Sequence, residues 1–101
     1  MYSKGDIQQI CQRALDKYGR IPQLLMMQEE CAEVIQAVSH LVRERTDEEP
    51  LLLELADVAL LLEQMKLMFG EDRIDEYFQA AAARLEKRLD ENDETLNKKF
   101  P

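Results

Sequence analysis

Apolar positions along this chain recur with the period of a helix and almost nowhere with the alternation of a strand. Behind a capping cluster from Ser3 to Asp6, Ile7, Ile10, Cys11, Ala14 and Leu15 repeat at helical spacing as far as Tyr18, and Gly19 predicts the end of a first helix. Pro22 is tolerated in a first turn, so a second helix is expected from about Pro22 to a point between His40 and Arg45. Thr46 with Glu49 three residues on reads as a capping box, and Pro50 again fits a first turn. These predict a third helix lasting to Phe69, with Gly70 as its stop. A fourth helix, from about Asp72 to Asn92, carries Ile74, Phe78, Ala81, Ala82, Leu85 and Leu89 as its apolar stripe. The expected domain is all-α, a four-helix bundle over residues 1–92. Residues 93–101 lack a sustained stripe and read as a tail, mobile or docked on a partner.

Two acidic pairs interrupt this pattern. In the second helix Met26, Met27, Glu30, Glu33, Val34, Ala37 and Leu41 form a core-type stripe with two acids inside it. In the third, ten of the twelve residues of LLLELADVALLL (51–62) are apolar, and the exceptions, Glu54 and Asp57, stand three apart on one face. A helix that is apolar nearly all round is a buried helix, and carboxylates carried into it have to be neutralised, paired or bound to metal. Two such pairs on facing helices gather up to eight oxygens, whose mutual repulsion is relieved by a cation. Oxygen donors alone, with His40 the single histidine, favour magnesium, or manganese, over zinc. Either spacing alone also occurs on ordinary solvated helices; the placement of both on apolar stripes makes the site.

Facing helices impose a register. Glu30 and Glu33 lie 12 to 15 residues before Arg45, whereas Glu54 and Asp57 lie only 5 to 8 after Glu49. At 1.5 Å per residue the mismatch is roughly 10 Å. The second helix is therefore expected to end early, near Leu41 to Arg43, or to cross the third at an angle that levels the pairs.

Composition narrows the partners. Thirteen basic against twenty-one acidic residues leave a net charge of −8, which repels nucleic-acid polymers and anionic membranes. The apolar run 51–62 falls short of the roughly 20 residues of a membrane span. Cys11 and Cys31 form no CxxC motif and no secretory leader is evident, so reduced thiols and a cytoplasmic location are expected. A chain of 101 residues buries a modest share of its surface, so extensive apolar helices imply a homo-oligomer, a dimer or dimer of dimers.

With these residues in view, the chain resembles the MazG-like all-α nucleoside triphosphate pyrophosphohydrolases, whose hallmark is EExxE followed after a spacer by ExxD. Here these are Glu29-Glu30-Cys31-Ala32-Glu33 and Glu54-Leu55-Ala56-Asp57. The likeness extends through ALDKYG, LADVALLLEQMKLMFG and the basic RLEKR segment, covering about residues 14 to 88. Met26 stands where many relatives have a lysine, and Tyr18 where the aromatic is often tryptophan. The resemblance implies a MazG-like fold completed by oligomerisation and cleavage of an NTP or dNTP between the α and β phosphates. It also implies magnesium held by Glu30, Glu33, Glu54 and Asp57. Glu33 or its neighbour Glu29 is the candidate general base for the attacking water.

Further candidates are weaker. Arg84, Lys87 and Arg88 lie within two turns and are expected either to neutralise a triphosphate tail or to pair with Glu86 or Asp90 on a solvated face. Tyr18 offers a ring for stacking a base, though a stripe residue beside a glycine more often packs. Gln23 and Gln28 offer amides to a base edge, or are plain surface. The methionines read as core filling, and His40 as a cation favoured by a helix C-terminus. Two other functions stay open: a non-catalytic helical assembly module whose acids pair with a partner's bases, and a nucleotide-binding regulator without turnover.

Overall fold

A computed structural model describes the backbone of residues 1–99 and the side chains of residues 1–91. It is all-helical, with α1 Lys4–Tyr18, α2 Arg20–Val42, α3 Glu49–Phe69 and α4 Glu71–Lys99. The chain divides into two compact units, residues 1–69 with α1 to α3 and residues 70–101 with α4. No helix among the described residues is long and apolar enough to cross a membrane.

Local chemistry sets the ends of the helices. The Ser3 hydroxyl accepts the Asp6 N–H at 3.0 Å while the Asp6 carboxylate accepts the Ser3 N–H at 2.9 Å, a reciprocal capping box that opens α1. Gly19 alone joins α1 to α2. Its φ of 89° suits glycine, its N–H donates to the Leu15 carbonyl at 2.9 Å, and its own carbonyl accepts from Gln23. Helix α2 thus begins two residues before Pro22, which still occupies the first turn, where its missing N–H costs nothing.

The end of α2 answers the register question. After Val42 the chain forms a Schellman turn: Glu44 N–H donates to Leu41 at 3.0 Å and Arg45 N–H to His40 at 2.9 Å. Glu44 takes the left-handed position, φ 58°, where glycine is usual. Helix α3 then opens at Glu49, whose N–H is accepted by Asp47 Oδ1 at 3.2 Å. Because Glu49 is the first helical residue and not the third, the capping box expected from Thr46 does not form.

Helices α2 and α3 run antiparallel, and α3 is central, packing on both α1 and α2. Along α2 the facing seam is Gln23, Met27, Glu30, Val34, Ala37 and Leu41; along α3 it is Leu51, Glu54, Val58, Leu61, Met65 and Met68, all buried or half-buried. Cys11 is 0% exposed against α3, its thiol donating to the Leu60 carbonyl at 3.8 Å; burial, and secondly the Glu63 charge, push this thiol's pKa up. The Arg20 guanidinium lies 5.3 Å from the Phe69 ring centre, tying the start of α2 to the end of α3.

Helix α3 is less enclosed than its composition implies. Only Leu61, Gln64 and Met65 are buried, while Leu52, Leu53, Leu55, Leu60 and Leu62 are exposed. Helix α4 runs past the expected end at Asn92 to Lys99; on it Phe78, Leu85 and Leu89 are exposed and Ile74 half-buried. The side chains of the tail expected at 93–101 lie outside the described residues.

The Schellman turn carries a stability prediction. A side chain in the left-handed region costs about 1 kcal/mol or somewhat more relative to glycine. Glu44→Gly should therefore raise the unfolding free energy by about 1 kcal/mol, read as a higher urea midpoint at unchanged slope; a lowered midpoint would contradict the geometry given for this turn.

Candidate metal centre

The α2 and α3 seams carry the acids to one place. Gln23 faces Gln64, and seven residues along each helix in opposite directions Glu30 faces Asp57. Glu54, one turn before Asp57, completes the group. One carboxylate oxygen from each of Glu30, Glu54 and Asp57 lies within 4.8 Å of the others. From Glu30 to the end of α2 is 12 residues, and from the start of α3 to Asp57 is 8. The surviving difference, about one turn or ~6 Å, is spanned by residues 43–48. The early end of α2 thus brings Glu30 level with Glu54 and Asp57, while Glu33 stays outside the group.

Glu30 and Glu54 stand on the seam itself, half-buried, and Asp57 stands beside it, exposed. Glu33 is also exposed and lies outside the 4.8 Å group, though its charge acts on Glu54. Glu54 bears the cost of this crowding. Its Oε2 is fully buried with no hydrogen-bond donor, the one side-chain N or O in that condition among the described residues. None of Glu30, Glu54 and Asp57 takes part in an ion pair among them; Glu63 pairs with Lys66 at 2.8 Å. Two carboxylates side by side have no hydrogen between them until one is protonated. The hydrogen bond then available to Glu30 is the largest influence raising the Glu54 pKa from 4.5 to about 7, followed by burial and by the charges of Glu33, Glu30 and Asp57.

This donor set fits a hard divalent cation. It offers oxygens only, from three side chains with a fourth nearby, and one oxygen sits buried with nothing to satisfy it. A recess of about 270 Å³ opens on the cluster, lined by Gln23, Met26, Glu30, Asp57, Leu61 and Gln64. A second, of about 550 Å³, shares Gln23 and Met26 with it and adds Tyr18, Pro22, Leu25 and Glu29. Pro22, Leu25, Met26 and Glu29 form one stripe of α2, so Glu29 faces this second recess while Glu30, next in sequence, faces α3.

Comparison with protein-family models, curated proteins and solved structures finds no match.

The remaining candidates fall in other settings. The Tyr18 ring is exposed, with Lys17 Nζ 5.4 Å from its centre. Arg84, Lys87 and Arg88 are exposed on α4, in the second unit, and Lys87 pairs with Glu91 at 3.8 Å rather than with the acids nearer in sequence. Gln28 is surface, but Gln23 is buried: its Nε2 donates to Gln64 Oε1 at 2.7 Å. Neither glutamine was evident as a core residue from its type. The available signal was spacing, since Gln23 lies four residues before Met27 on the stripe that carries Glu30.

The raised Glu54 pKa has a sign that can be checked. Between pH about 4.5 and about 7 the folded chain keeps a proton that the unfolded chain has released. Without divalent cations, stability should then fall as pH rises through this window. Glu54→Gln should flatten the decline, and saturating Mg²⁺ should offset it in the parent chain; urea titrations across the window measure all three.

Proposed function

We propose that this chain is a magnesium-dependent nucleoside triphosphate pyrophosphohydrolase of the MazG-like kind, converting an NTP or dNTP to the monophosphate and pyrophosphate. The observation that carries the reading is the meeting of Glu30, Glu54 and Asp57 around a buried, unpartnered Glu54 oxygen. These are residues of the two acidic motifs on which the resemblance rests.

In this reading Glu30, Glu54 and Asp57, with Glu33 beside them, hold Mg²⁺, or Mn²⁺ in its place. The cation supplies charge neutralisation to the phosphates and acidity to water. Without it a chain of net charge −8 would repel a triphosphate. Of the two candidate bases, Glu33 is the better supported, because its charge reaches Glu54 while Glu29 lines the neighbouring recess. Glu33 takes a proton as the water oxygen attacks the α-phosphorus; the bond from that phosphorus to the bridging oxygen breaks, and pyrophosphate leaves with the electron pair. The recess beside Tyr18 is the proposed seat of the nucleoside.

Homo-oligomerisation belongs to the same proposal. Leu52, Leu53 and Leu55 of α3 and Ile35, Val38 and Val42 of α2 are exposed apolar side chains of the kind that a second copy covers, in a dimer or dimer of dimers. The same exposure favours a second reading, a non-catalytic assembly module whose acids pair with basic side chains of its partner. A nucleotide-binding regulator would bind substrate without releasing product.

Incubation with a nucleotide panel and Mg²⁺ should release pyrophosphate in amounts equal to the monophosphate formed. Glu54→Gln and Asp57→Asn should each lower turnover by about 100-fold or more with helicity intact. An oligomer that neither turns over nucleotides nor changes its melting temperature with Mg²⁺ would select the assembly module.

A further inference from the structure

Away from the acids, the side-chain hydrogen bond that joins α2 to α3 among the described residues is that of the amide pair Gln23 and Gln64. Both residues are more than nine-tenths buried, at 8% and 6% exposure. The rest of this seam is aliphatic, Met27, Val34, Ala37 and Leu41 against Leu51, Val58, Leu61 and Met65, apart from the acids themselves. Surfaces of this kind are tolerant of sliding. A shift of one helical turn exchanges one set of aliphatic neighbours for another, and methionine adapts to irregular gaps.

Once all three are ionised, the acids do not oppose such a shift. In the observed register Glu30, Glu54 and Asp57 repel one another, and separating them relieves the repulsion. One turn moves α3 by ~5.4 Å along its axis, more than the 4.8 Å that encloses the three oxygens. A single-turn slip therefore dismantles the cluster. What it also does is part Gln23 from Gln64, turning two buried amides toward aliphatic carbon and leaving each without its partner. A lone polar pair in an apolar helix seam is a recognised way of fixing register.

We propose that the Gln23–Gln64 pair is a register clasp, a positioning pair that holds Glu30, Glu54 and Asp57 together against their own repulsion so that the cation site is formed before the cation arrives. The role rests on the metal-site reading above, and concerns this chain's geometry rather than contact with substrate. The pair stands two turns from the Glu30 and Asp57 level on both helices, close enough to transmit register and too far to ligate the same ion.

The test replaces both amides by an unbranched side chain of similar length, Gln23→Met with Gln64→Met, in the full chain. Register is read as the distance between spin labels on Gln36→Cys and Leu67→Cys, with Cys31→Ser to keep that thiol from labelling. Cation affinity is read by Mn²⁺ titration in the unlabelled chain. The clasp predicts a label distance that shifts or broadens by about one turn, ~5 Å, and an Mn²⁺ affinity lower by about tenfold or more. It predicts a metal-free melting temperature that is kept or raised. Gln64→Asn, which withdraws the acceptor by one methylene, should move both readouts in the same direction by less, and serves alone should the double variant not fold. Unchanged distance and affinity overturn the clasp and leave the metal site standing. A lower affinity at unchanged distance also overturns it, by making the amides direct contacts. If the parent chain binds no Mn²⁺ but the distance shifts, the clasp stands as a register device and the metal reading falls.

Discussion

Carboxylates brought together on the seam between two packed helices repel one another, and the geometry of the α2–α3 hairpin is organised around holding them there. Glu30 and Glu54 occupy positions where aliphatic side chains would pack, and Asp57 and Glu33 add their charge from the flanks. Replacing buried charges with apolar groups is often stabilising, so an arrangement that leaves Glu54 Oε2 buried without a donor is unfavourable unless something else satisfies that oxygen. A divalent cation would do so for all three side chains at once. Protonation does so for only one, which is why the Glu54 pKa climbs to about 7.

The features that maintain this arrangement are spread along the hairpin. The Schellman turn ends α2 at Val42, and Asp47 starts α3, which together set how much helix lies between the connecting loop and the acids on either side. The Arg20 guanidinium over Phe69 and the buried glutamine pair fasten the far end. Helix α1, turned back at Gly19, packs Cys11 onto α3 and gives the hairpin a second layer. The buried apolar core is small, comprising Cys11, Ala37, Leu61 and Met65 among the described residues. So small a core leaves register to be decided by a few polar contacts, and it leaves Leu52, Leu53, Leu55, Leu60 and Leu62 of α3 exposed.

The helices and the place of the acids were legible in the sequence for identifiable reasons. Gly19 and Gly70 mark chain breaks because each takes a positive φ that other residues resist, and Ser3 with Asp6 forms a box through side-chain oxygens at the required spacing. The register mismatch between the acidic pairs pointed to an early end for α2, and the helix does end at Val42. Other features were hidden. Glu44 adopts a conformation its side chain disfavours, so no residue type marks that turn. Adjacent Met26 and Met27 left the phase of α2 ambiguous by one residue; the seam runs through Met27 and Glu30, which puts Glu33 and Met26 on the exposed side. Gln23 and Gln64 read as surface by type, and only pairing makes their burial favourable. The run after Leu89 continues as helix without an apolar stripe, so periodicity underestimated α4.

Whether Glu30, Glu54 and Asp57 hold a cation is tested most directly by anomalous diffraction from crystals grown or soaked with Mn²⁺. A cation held there gives an anomalous peak on the α2–α3 seam with oxygens of all three carboxylates at roughly 2.0–2.3 Å, lost in Glu54→Gln. Crystals with no peak there, or with a basic side chain of a second copy lodged among the three acids, would contradict it.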